Sequence, residues 1–305
     1  MHALEFTRVS KTYGAVKALA GASFTVARGE MFGIIGPDGA GKTTAIRIAC
    51  GLLRPESGEV RVMGHDPVRE HGRITGAVGY LSQRFSLYGD LTIDENVAFF
   101  AEIHGVRDYR AARDQLLDMT QLTPFRSRRA DRLSGGMKQK LALACTLVHE
   151  PEILILDEPT TGVDPVARRE FWKLLSEFLS RGLTVVMATP YLDEAERCTR
   201  VLLLHEGAVL AIEAPAVLQA AFSGRLFEVI TETGRPPLDA LLAAPGVTDA
   251  QGFGGRAHVT VAPGYQGDVE RGIRTALSRD RFQVVSVRAI TATLEDVFIE
   301  MLSTK

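Results

Sequence analysis

The stretch Gly36-Pro37-Asp38-Gly39-Ala40-Gly41-Lys42-Thr43-Thr44 decides the fold of this chain. It fits the phosphate-binding pattern G-x-x-x-x-G-K-[ST]. Residues 31–35 before it are apolar and predict a buried strand, and residues 45–49 after it predict the first turns of a helix. The glycines let backbone N–H groups converge on an anion, and the helix start adds unpaired N–H groups and a partial positive charge. The sequence therefore predicts a phosphate site between a strand and a helix.

Two side chains of this phosphate loop carry the chemistry. Lys42 is expected to reach the β- and γ-phosphates of a bound nucleotide, and Thr43 is expected to ligate Mg²⁺. The other loop positions expected to surround the phosphates are Gly36, Pro37, Asp38, Gly39, Ala40, Gly41 and Thr44. An ordinary strand–helix turn is the alternative, but the flanking strand and helix favour a phosphate site.

The composition is that of an ordinary globular chain. Of its 305 residues 46% are hydrophobic and 24% are charged, and the net charge is −2, which gives no electrostatic argument for nucleic acid. No apolar run approaches the ~18 residues of a membrane span, and the first residues do not resemble a secretory signal. Cys50, Cys145 and Cys198 are widely spaced and form no metal-ligand pattern, so we expect reduced, buried thiols in a cytoplasmic protein.

The pattern of strands and helices predicts two domains. Up to about residue 211, short apolar strands alternate with helical stretches, which favours an α/β fold with a mostly parallel sheet. From residue 226 the order is β-α-β-β-α-β with a final helix over 294–302, which indicates a small α+β, ferredoxin-like domain. We therefore predict domains at residues 1–223 and 224–305.

A second candidate site lies at the end of the apolar strand 153–156. Asp157 and Glu158 follow it directly, and ligands of α/β sheets bind beyond the carboxyl ends of the strands. Asp157 is then positioned to hold Mg²⁺, and Glu158 to polarise a water molecule for attack on the γ-phosphate. Two solvated acids at a strand end are the alternative. The phosphate loop favours the catalytic interpretation.

The segment Leu133-Ser134-Gly135-Gly136-Met137 resembles the signature of the ATP-binding cassette (ABC) ATPases, and residues 1–222 are similar to that family nearly throughout. The resemblance implies a P-loop core with an antiparallel β subdomain and a helical subdomain. It also implies that Ser134, Gly135 and Gly136 bind the γ-phosphate held by the phosphate loop of a second subunit. Taken alone, Ser-Gly-Gly also fits a simple helix cap.

The same resemblance assigns further residues. Tyr13 resembles the aromatic residue on which adenine stacks, although an exposed aromatic near a turn is the alternative. Gln83 resembles the glutamine that contacts Mg²⁺ and the attacking water, although a solvated strand-end amide would look the same. Asp164 resembles the loop residue that signals between the two ATP sites of a dimer.

Two positions depart from the family pattern. Asp38 stands where the family often has asparagine, and a carboxylate there adds some repulsion toward phosphates. Pro190 stands where the family usually has a histidine that contacts the γ-phosphate. Proline has neither a side-chain donor nor an N–H, and losing one transition-state donor typically costs about 10²–10³-fold in rate. We therefore expect Glu158 to be the base of a slow ATPase.

The resemblance extends to the ABC-2-type multidrug exporters. Residues 82–104 resemble the surface that receives a membrane permease, and the tail 293–298 resembles the C-terminal domain of that group. It implies an ATP- and Mg²⁺-dependent ATPase that forms a homodimer or heterodimer and docks on a permease at the inner face of the membrane, with a C-terminal regulatory or dimerisation domain. A regulatory ABC protein that closes on ATP with little hydrolysis is the alternative, because of Pro190.

Overall fold

A computed structural model describes residues 2–83, 87–279 and 281–303. The chain divides into two units, Met1–Pro215 and Ala216–Lys305. The sequence-based boundary lies a few residues later, at 223/224. A regulatory or dimerising role for the second unit stays a prediction.

The elements of the first unit alternate between strands and helices, as the sequence predicts. Its strands are β1 (His2–Tyr13), β2 (Val16–Ala27), β3 (Met31–Ile35), β4 (Ser57–Val62), β5 (Val78–Leu81), β6 (Ile153–Asp157), β7 (Thr184–Thr189), β8 (Arg200–His205) and β9 (Ala208–Glu213). Its helices are α1 (Lys42–Ala49), α2 (His71–Ile74), α3 (Ile93–Ile103), α4 (Arg110–Met119), α5 (Gly135–Leu147), α6 (Pro165–Ser180) and α7 (Leu192–Ala195), and α8 (Pro215–Ala220) crosses the division between the units. Short 3-10 turns occupy Thr123–Phe125 and Ala130–Arg132.

The main sheet has the strand order β5-β6-β7-β3-β8-β9. Its first five strands are parallel, and β9 pairs antiparallel with β8. Strands β3, β6 and β7 are buried along their whole length, as expected for a parallel sheet with both faces covered. Because these strands are parallel, their carboxyl ends meet at one edge of the sheet. The phosphate loop, the acids Asp157 and Glu158, and Pro190 all lie at this edge.

A smaller antiparallel sheet of order β2-β1-β4 packs against the main sheet through aromatic rings. The ring of Phe6 stacks on Phe24 at 4.5 Å, and Phe24 stacks in turn on Phe32 at 5.6 Å. Phe32 belongs to β3, the strand that leads into the phosphate loop. The position of the small sheet, which carries Tyr13 at the end of β1, is therefore fixed relative to that loop.

The helices α3, α4 and α5 form the helical part of the first unit. A capping box starts α3: Thr92 Oγ1 accepts from the Glu95 N–H at 3.2 Å, and the Thr92 N–H donates to Glu95 Oε2 at 2.7 Å. Arg126 donates to Asp94 on α3 at 3.0 Å and to Asp114 on α4 at 2.7 Å, which joins the two helices. The predicted permease-binding segment includes residues 84–86, which lie outside the described residues.

The second unit has the topology predicted from the sequence. Its elements are β10 (Arg225–Thr231), α9 (Leu238–Leu242), β11 (Val247–Phe253), β12 (Arg256–Val261), α10 (Val269–Arg279), β13 (Val284–Ile290) and α11 (Leu294–Ser303). The sheet has the order β11-β12-β10-β13 and is antiparallel throughout. Val229, Val259, Leu241 and Ile273 form its core between the sheet and the helices α9 and α10. This is the predicted β-α-β-β-α-β sandwich.

The structure differs from the sequence analysis mainly in the extent of single elements. The bounds of β5, the strand before Gln83, were not predicted, because Val-Gly-Tyr-Leu is short and contains a glycine that weakens the strand pattern. That glycine, Gly79, is closely packed, since a Cβ there would lie 3.0 Å from the Thr146 carbonyl oxygen. The cysteines are free and buried, as predicted. Within the described ranges, no helix combines the length and apolarity needed to span a membrane.

Candidate functional site

The phosphate loop leaves β3 and ends at Gly41, directly before α1. Gly41 has φ 108°, and a Cβ at this position would lie 2.0 Å from the Ala18 carbonyl oxygen, so the loop path requires glycine here. The N-cap of α1 is Gly41, so within the described residues the cap position supplies no side chain to the first turn. The first amides of the helix are therefore available to an anion, which helix N-termini bind through their N–H groups and dipole.

Lys42 lies across the phosphate loop. Its ammonium group donates to the carbonyl oxygens of Gly36 at 2.8 Å and Pro37 at 3.0 Å. It also lies 3.4 Å from Glu158 Oε1 and 3.9 Å from Asp38 Oδ1. The Asp38 side chain is 93% exposed, so it leaves the interior of the loop open. The lysine charge is thus held at the floor of the site, beside the candidate base.

Thr43 and Asp157 form a candidate Mg²⁺ site. The Thr43 hydroxyl donates to Asp157 Oδ1 at 3.0 Å, which joins the phosphate loop to the end of β6. Burial raises the pKa of Asp157 and the neighbouring Glu158 charge adds to this, while the Thr43 hydrogen bond opposes it. A hydroxyl beside a carboxylate is a donor set that suits a hard cation, so these two residues fit Mg²⁺.

Glu158 directly follows β6 and has φ 50°, a left-handed conformation that is uncommon for a residue with a side chain. Its N–H donates to the Ala188 carbonyl oxygen at 2.9 Å. Gln83 Nε2 donates to Glu158 Oε2 at 2.9 Å, and Thr161 Oγ1 lies 3.5 Å from the same atom. The carboxylate is thus held by groups from the ends of two neighbouring strands.

Most of these residues line one cleft of about 570 Å³, but the buried Asp157 is not among the described lining residues. Tyr13, which is 48% exposed, and Val16 line the cleft together with the phosphate loop, Glu158 and Thr161. The predicted residues that line the cleft are Tyr13, Asp38, Gly39, Gly41, Lys42, Thr43, Thr44, Gln83 and Glu158. Gly36 and Pro37 contribute the carbonyl groups below Lys42, and Ala40 is buried beneath the loop. The cleft therefore combines a phosphate loop, a candidate base and an exposed aromatic ring.

Pro190 lines the cleft at the position of the expected histidine, and Tyr191 lines it next to the proline. The Tyr191 ring lies against the Arg168 guanidinium, 5.0 Å from its Cζ atom. Sequence reasoning missed Tyr191 and Thr161 as lining residues. Their places directly after β7 and just beyond Glu158 were the available signal.

The signature and Asp164 lie apart from this cleft: among its described lining residues, none belongs to Ser134, Gly135, Gly136 or Asp164. Ser134 caps α5 by accepting from the Met137 N–H at 3.3 Å. Asp164 caps α6 by accepting from two backbone N–H groups at 3.0 Å. A Cβ at Gly136 would lie 2.6 Å from the Cβ of Ala167, so α5 packs closely on the start of α6. A second copy is needed to test whether the signature binds phosphate.

A glycine-rich loop lies between a buried strand and a helix, Glu158 lies at a parallel strand end in the same cleft, and Asp157 is hydrogen-bonded to the loop through Thr43. This arrangement defines a P-loop nucleotide-binding protein. A family model described as "ABC transporter" matches residues 19–161. Over 291 residues the chain is 41% identical to the probable multidrug ABC transporter ATP-binding protein YbhF of Escherichia coli (strain K12), which covers 93% of this chain and 49% of that protein.

A second relative is the daunorubicin resistance ATP-binding protein DrrA3 of Streptomyces coeruleorubidus, which is 36% identical over 293 residues, 95% of this chain and 87% of that protein. Among solved structures, the ATP-binding cassette MJ0796, a dimer in a post-hydrolysis state bound to ADP and Pi, matches with a TM-score of 0.61 and 28% identity over 69% of this chain and 98% of that chain. The chain belongs to the ABC transporter family. It spans about half the length of YbhF.

Proposed function

We propose that the chain is the ATP-binding and ATP-hydrolysing subunit of a membrane exporter of drugs or related small molecules. The observation that carries this proposal is the convergence of Lys42, Gln83 and Glu158 in one cleft. These three residues come from three different strand ends, and a nucleotide that engages the phosphate loop would have its terminal phosphate near all of them.

Each cleft residue has a distinct role in this proposal. The loop amides and Lys42 bind the phosphates of ATP, and the Tyr13 ring stacks on adenine. Glu158 accepts a proton from the attacking water, and the Gln83 amide orients that carboxylate. General base catalysis of this kind contributes about 10²–10⁴-fold in rate.

Mg²⁺ is the metal that fits this site. Thr43 and Asp157 would hold it, with Gln83 as a third candidate ligand. The ion would neutralise charge on the phosphate oxygens. The chain's own contribution is to keep the Thr43 hydroxyl and the Asp157 carboxylate at hydrogen-bond distance, at 3.0 Å, before the ion arrives.

The proposal includes a second cassette, identical or different. The separation of Ser134, Gly135 and Gly136 from the chain's own cleft supports it, because Ser134 and Gly135 are exposed and thus accessible to a nucleotide on a partner. The dimeric state of the MJ0796 relative is a further support. In a closed dimer each ATP would lie between a phosphate loop and the partner's signature, with Asp164 near the contact.

The remaining parts of the proposal concern the membrane. We propose that the chain acts in the cytoplasm, bound to the inner face of the membrane through an ABC-2-type permease. The names of two relatives refer to multidrug transport and daunorubicin resistance, and they support a drug-like cargo. The second unit would then regulate or stabilise the dimer.

Steady-state phosphate release by the purified protein tests the core of the proposal. The parent should hydrolyse MgATP at a rate well above that of Glu158→Gln, which keeps the shape of the side chain but removes the base. Equal rates for the two proteins would contradict the hydrolytic function. Lys42→Ala should lose nucleotide binding, which separates a binding defect from a chemical one.

Pro190 favours a second candidate, an ABC protein that closes on ATP and hydrolyses it little. Because Pro190 lines the cleft without a donor, the transition state lacks one stabilising contact. Pro190→His should raise kcat if that contact limits the rate. An ATP-dependent dimer in the parent, with turnover no higher than in Glu158→Gln, would favour this second candidate over the motor.

A further inference from the structure

Glu194, a buried acid on α7, is not explained by the nucleotide site. Its side chain is 1% exposed. Both carboxylate oxygens accept hydrogen bonds from threonine hydroxyls: Oε1 from Thr160 and Oε2 from Thr189, the latter at 2.7 Å. An ionised carboxylate in this setting is costly to bury, so it needs all of its hydrogen bonds.

The two threonines belong to the segments that form one wall of the cleft. Thr160 lies between Glu158 and Thr161, both of which line the cleft. Thr189 is the last residue of β7, and its hydroxyl also accepts from the Tyr191 N–H at 3.1 Å, on the far side of Pro190. One buried carboxylate therefore holds the chain after β6 and the chain after β7 together.

Arg168 connects the same carboxylate to α6. Its Nε lies 3.9 Å from Glu194 Oε1, and its Nη1 lies 3.5 Å from Asp193 Oδ2. Its guanidinium packs on the Tyr191 ring. Because α6 begins directly after Asp164, the network joins three segments: the one that carries Glu158, the one that carries Pro190, and the helix that follows Asp164.

We propose that Glu194 is a positioning residue for ATP hydrolysis, acting through Thr160 and Thr189 to fix Glu158 and Thr161 relative to Pro190 and Tyr191. This inference rests on the proposed function. A base must be held close to its productive geometry, and a displacement of about 1 Å can cost about 100-fold in rate. Since Pro190 contributes no donor, the placement of the remaining groups carries more of the catalysis.

The test compares isosteric variants that keep or remove one hydroxyl. Thr160→Val and Thr189→Val remove the hydrogen bond to Glu194, while Thr160→Ser and Thr189→Ser retain a hydroxyl. We expect each valine variant to lower kcat per nucleotide-binding site by about 10- to 100-fold. The KM for ATP should stay within about two-fold of the parent value, and each serine variant within about three-fold of the parent kcat, because the hydroxyl that positions the loop is retained.

Normalising kcat to titrated nucleotide sites separates positioning from folding. A merely structural role would lower the number of sites and leave kcat per site unchanged, and that result would overturn the inference. Glu194→Leu, which is similar in size but accepts no hydrogen bond, is measured in the same way if a valine variant does not fold, and parent-like kcat per site in Glu194→Leu also overturns the inference. If the parent is active and the valine variants have the parent kcat per site, the inference is overturned and the proposed function is not. A parent no faster than Glu158→Gln overturns the proposed function and this inference together.

Discussion

The amide of Gln83 donates a hydrogen bond of 2.9 Å to the carboxylate of Glu158. Gln83 follows β5 and Glu158 follows β6, and these two strands are parallel neighbours at the end of the sheet. Their side chains therefore meet at the cleft although they are far apart in the sequence. The bond ties the orientation of the candidate base to the segment that continues toward α3.

Gln83→Ala should lower kcat by about tenfold, because the general base loses the group that orients it. The KM for ATP should change less than about twofold, since Gln83 does not belong to the phosphate loop. Steady-state phosphate release measures both constants. Gln115→Ala, on the exposed side of α4, is the matched control and should behave like the parent. Unchanged kcat in Gln83→Ala would contradict the assigned role.

Thr43→Val should raise the Mg²⁺ concentration needed for half-maximal turnover by about tenfold or more, because it removes one proposed ligand and the hydrogen bond to Asp157. Thr43→Ser keeps the hydroxyl and should stay within about twofold of the parent. A Mg²⁺ titration of phosphate release at saturating ATP makes the comparison. Equal Mg²⁺ requirements in the two variants would exclude a metal-binding role for the hydroxyl.

Gly41→Ala should destabilise the first unit more than Gly39→Ala. Both glycines have positive φ, 108° and 82°, so alanine costs about 1–2 kcal/mol of backbone strain at either position. Only at Gly41 would the new Cβ also meet a backbone atom, the Ala18 oxygen at 2.0 Å, while nothing lies within 4 Å at Gly39. The free energy of unfolding in urea measures the difference. An equal loss of unfolding free energy in the two variants would show that the close approach of Gly41 to the Ala18 oxygen does not affect stability.

His149→Asn should reduce the amount by which the free energy of unfolding falls as the solution is acidified. His149 stacks on His104 at 3.8 Å, and burial, with a smaller contribution from the His104 charge, lowers the pKa of His149 from 6.5 to about 4. The unfolded chain therefore takes up a proton first as the pH falls, so folding stability that is present above about pH 6.5 is lost between about pH 6.5 and 4.

The measurement for this histidine is the free energy of unfolding across that pH range. The difference between variant and parent at pH 8, where both histidines are neutral, reports lost packing and the lost contact of His149 Nε2 with the Val78 carbonyl oxygen at 3.2 Å. A change in that difference toward low pH reports the titration of His149. A constant difference from pH 8 to pH 4 would refute the assignment of the acid sensitivity to this residue.

The phosphate loop was predictable because local chemistry dictates it. Gly41 has a positive φ and lies close to the Ala18 carbonyl oxygen, and only glycine tolerates both. A single residue type at one position therefore indicates the loop conformation. The β-α-β-β-α-β order of the second unit was predictable for a similar reason, since its strands are short and separated by clear turns. The bounds of strand β5 were not, because four residues with a glycine carry too little pattern.

The Glu194 network could not be predicted from sequence. Its members match no sequence motif, and they come into contact only because two parallel strands end side by side. They are Thr160, Arg168, Thr189 and Glu194. Tyr191 and Thr161 were missed as well, although their places close after Pro190 and Glu158 offered a signal. Residues that belong to a motif, such as Lys42 and Glu158, could be identified from the sequence. The residues that position them could not, because their role depends on tertiary contacts.

In the strand order β6-β7-β3, Pro190 follows the middle strand. It therefore lies between the acids that follow β6 and the phosphate loop that follows β3, and it belongs to neither segment. If the proposed function is correct, a substitution at Pro190 alone would therefore change the rate of ATP turnover more than it changes the contacts of the phosphate loop with nucleotide.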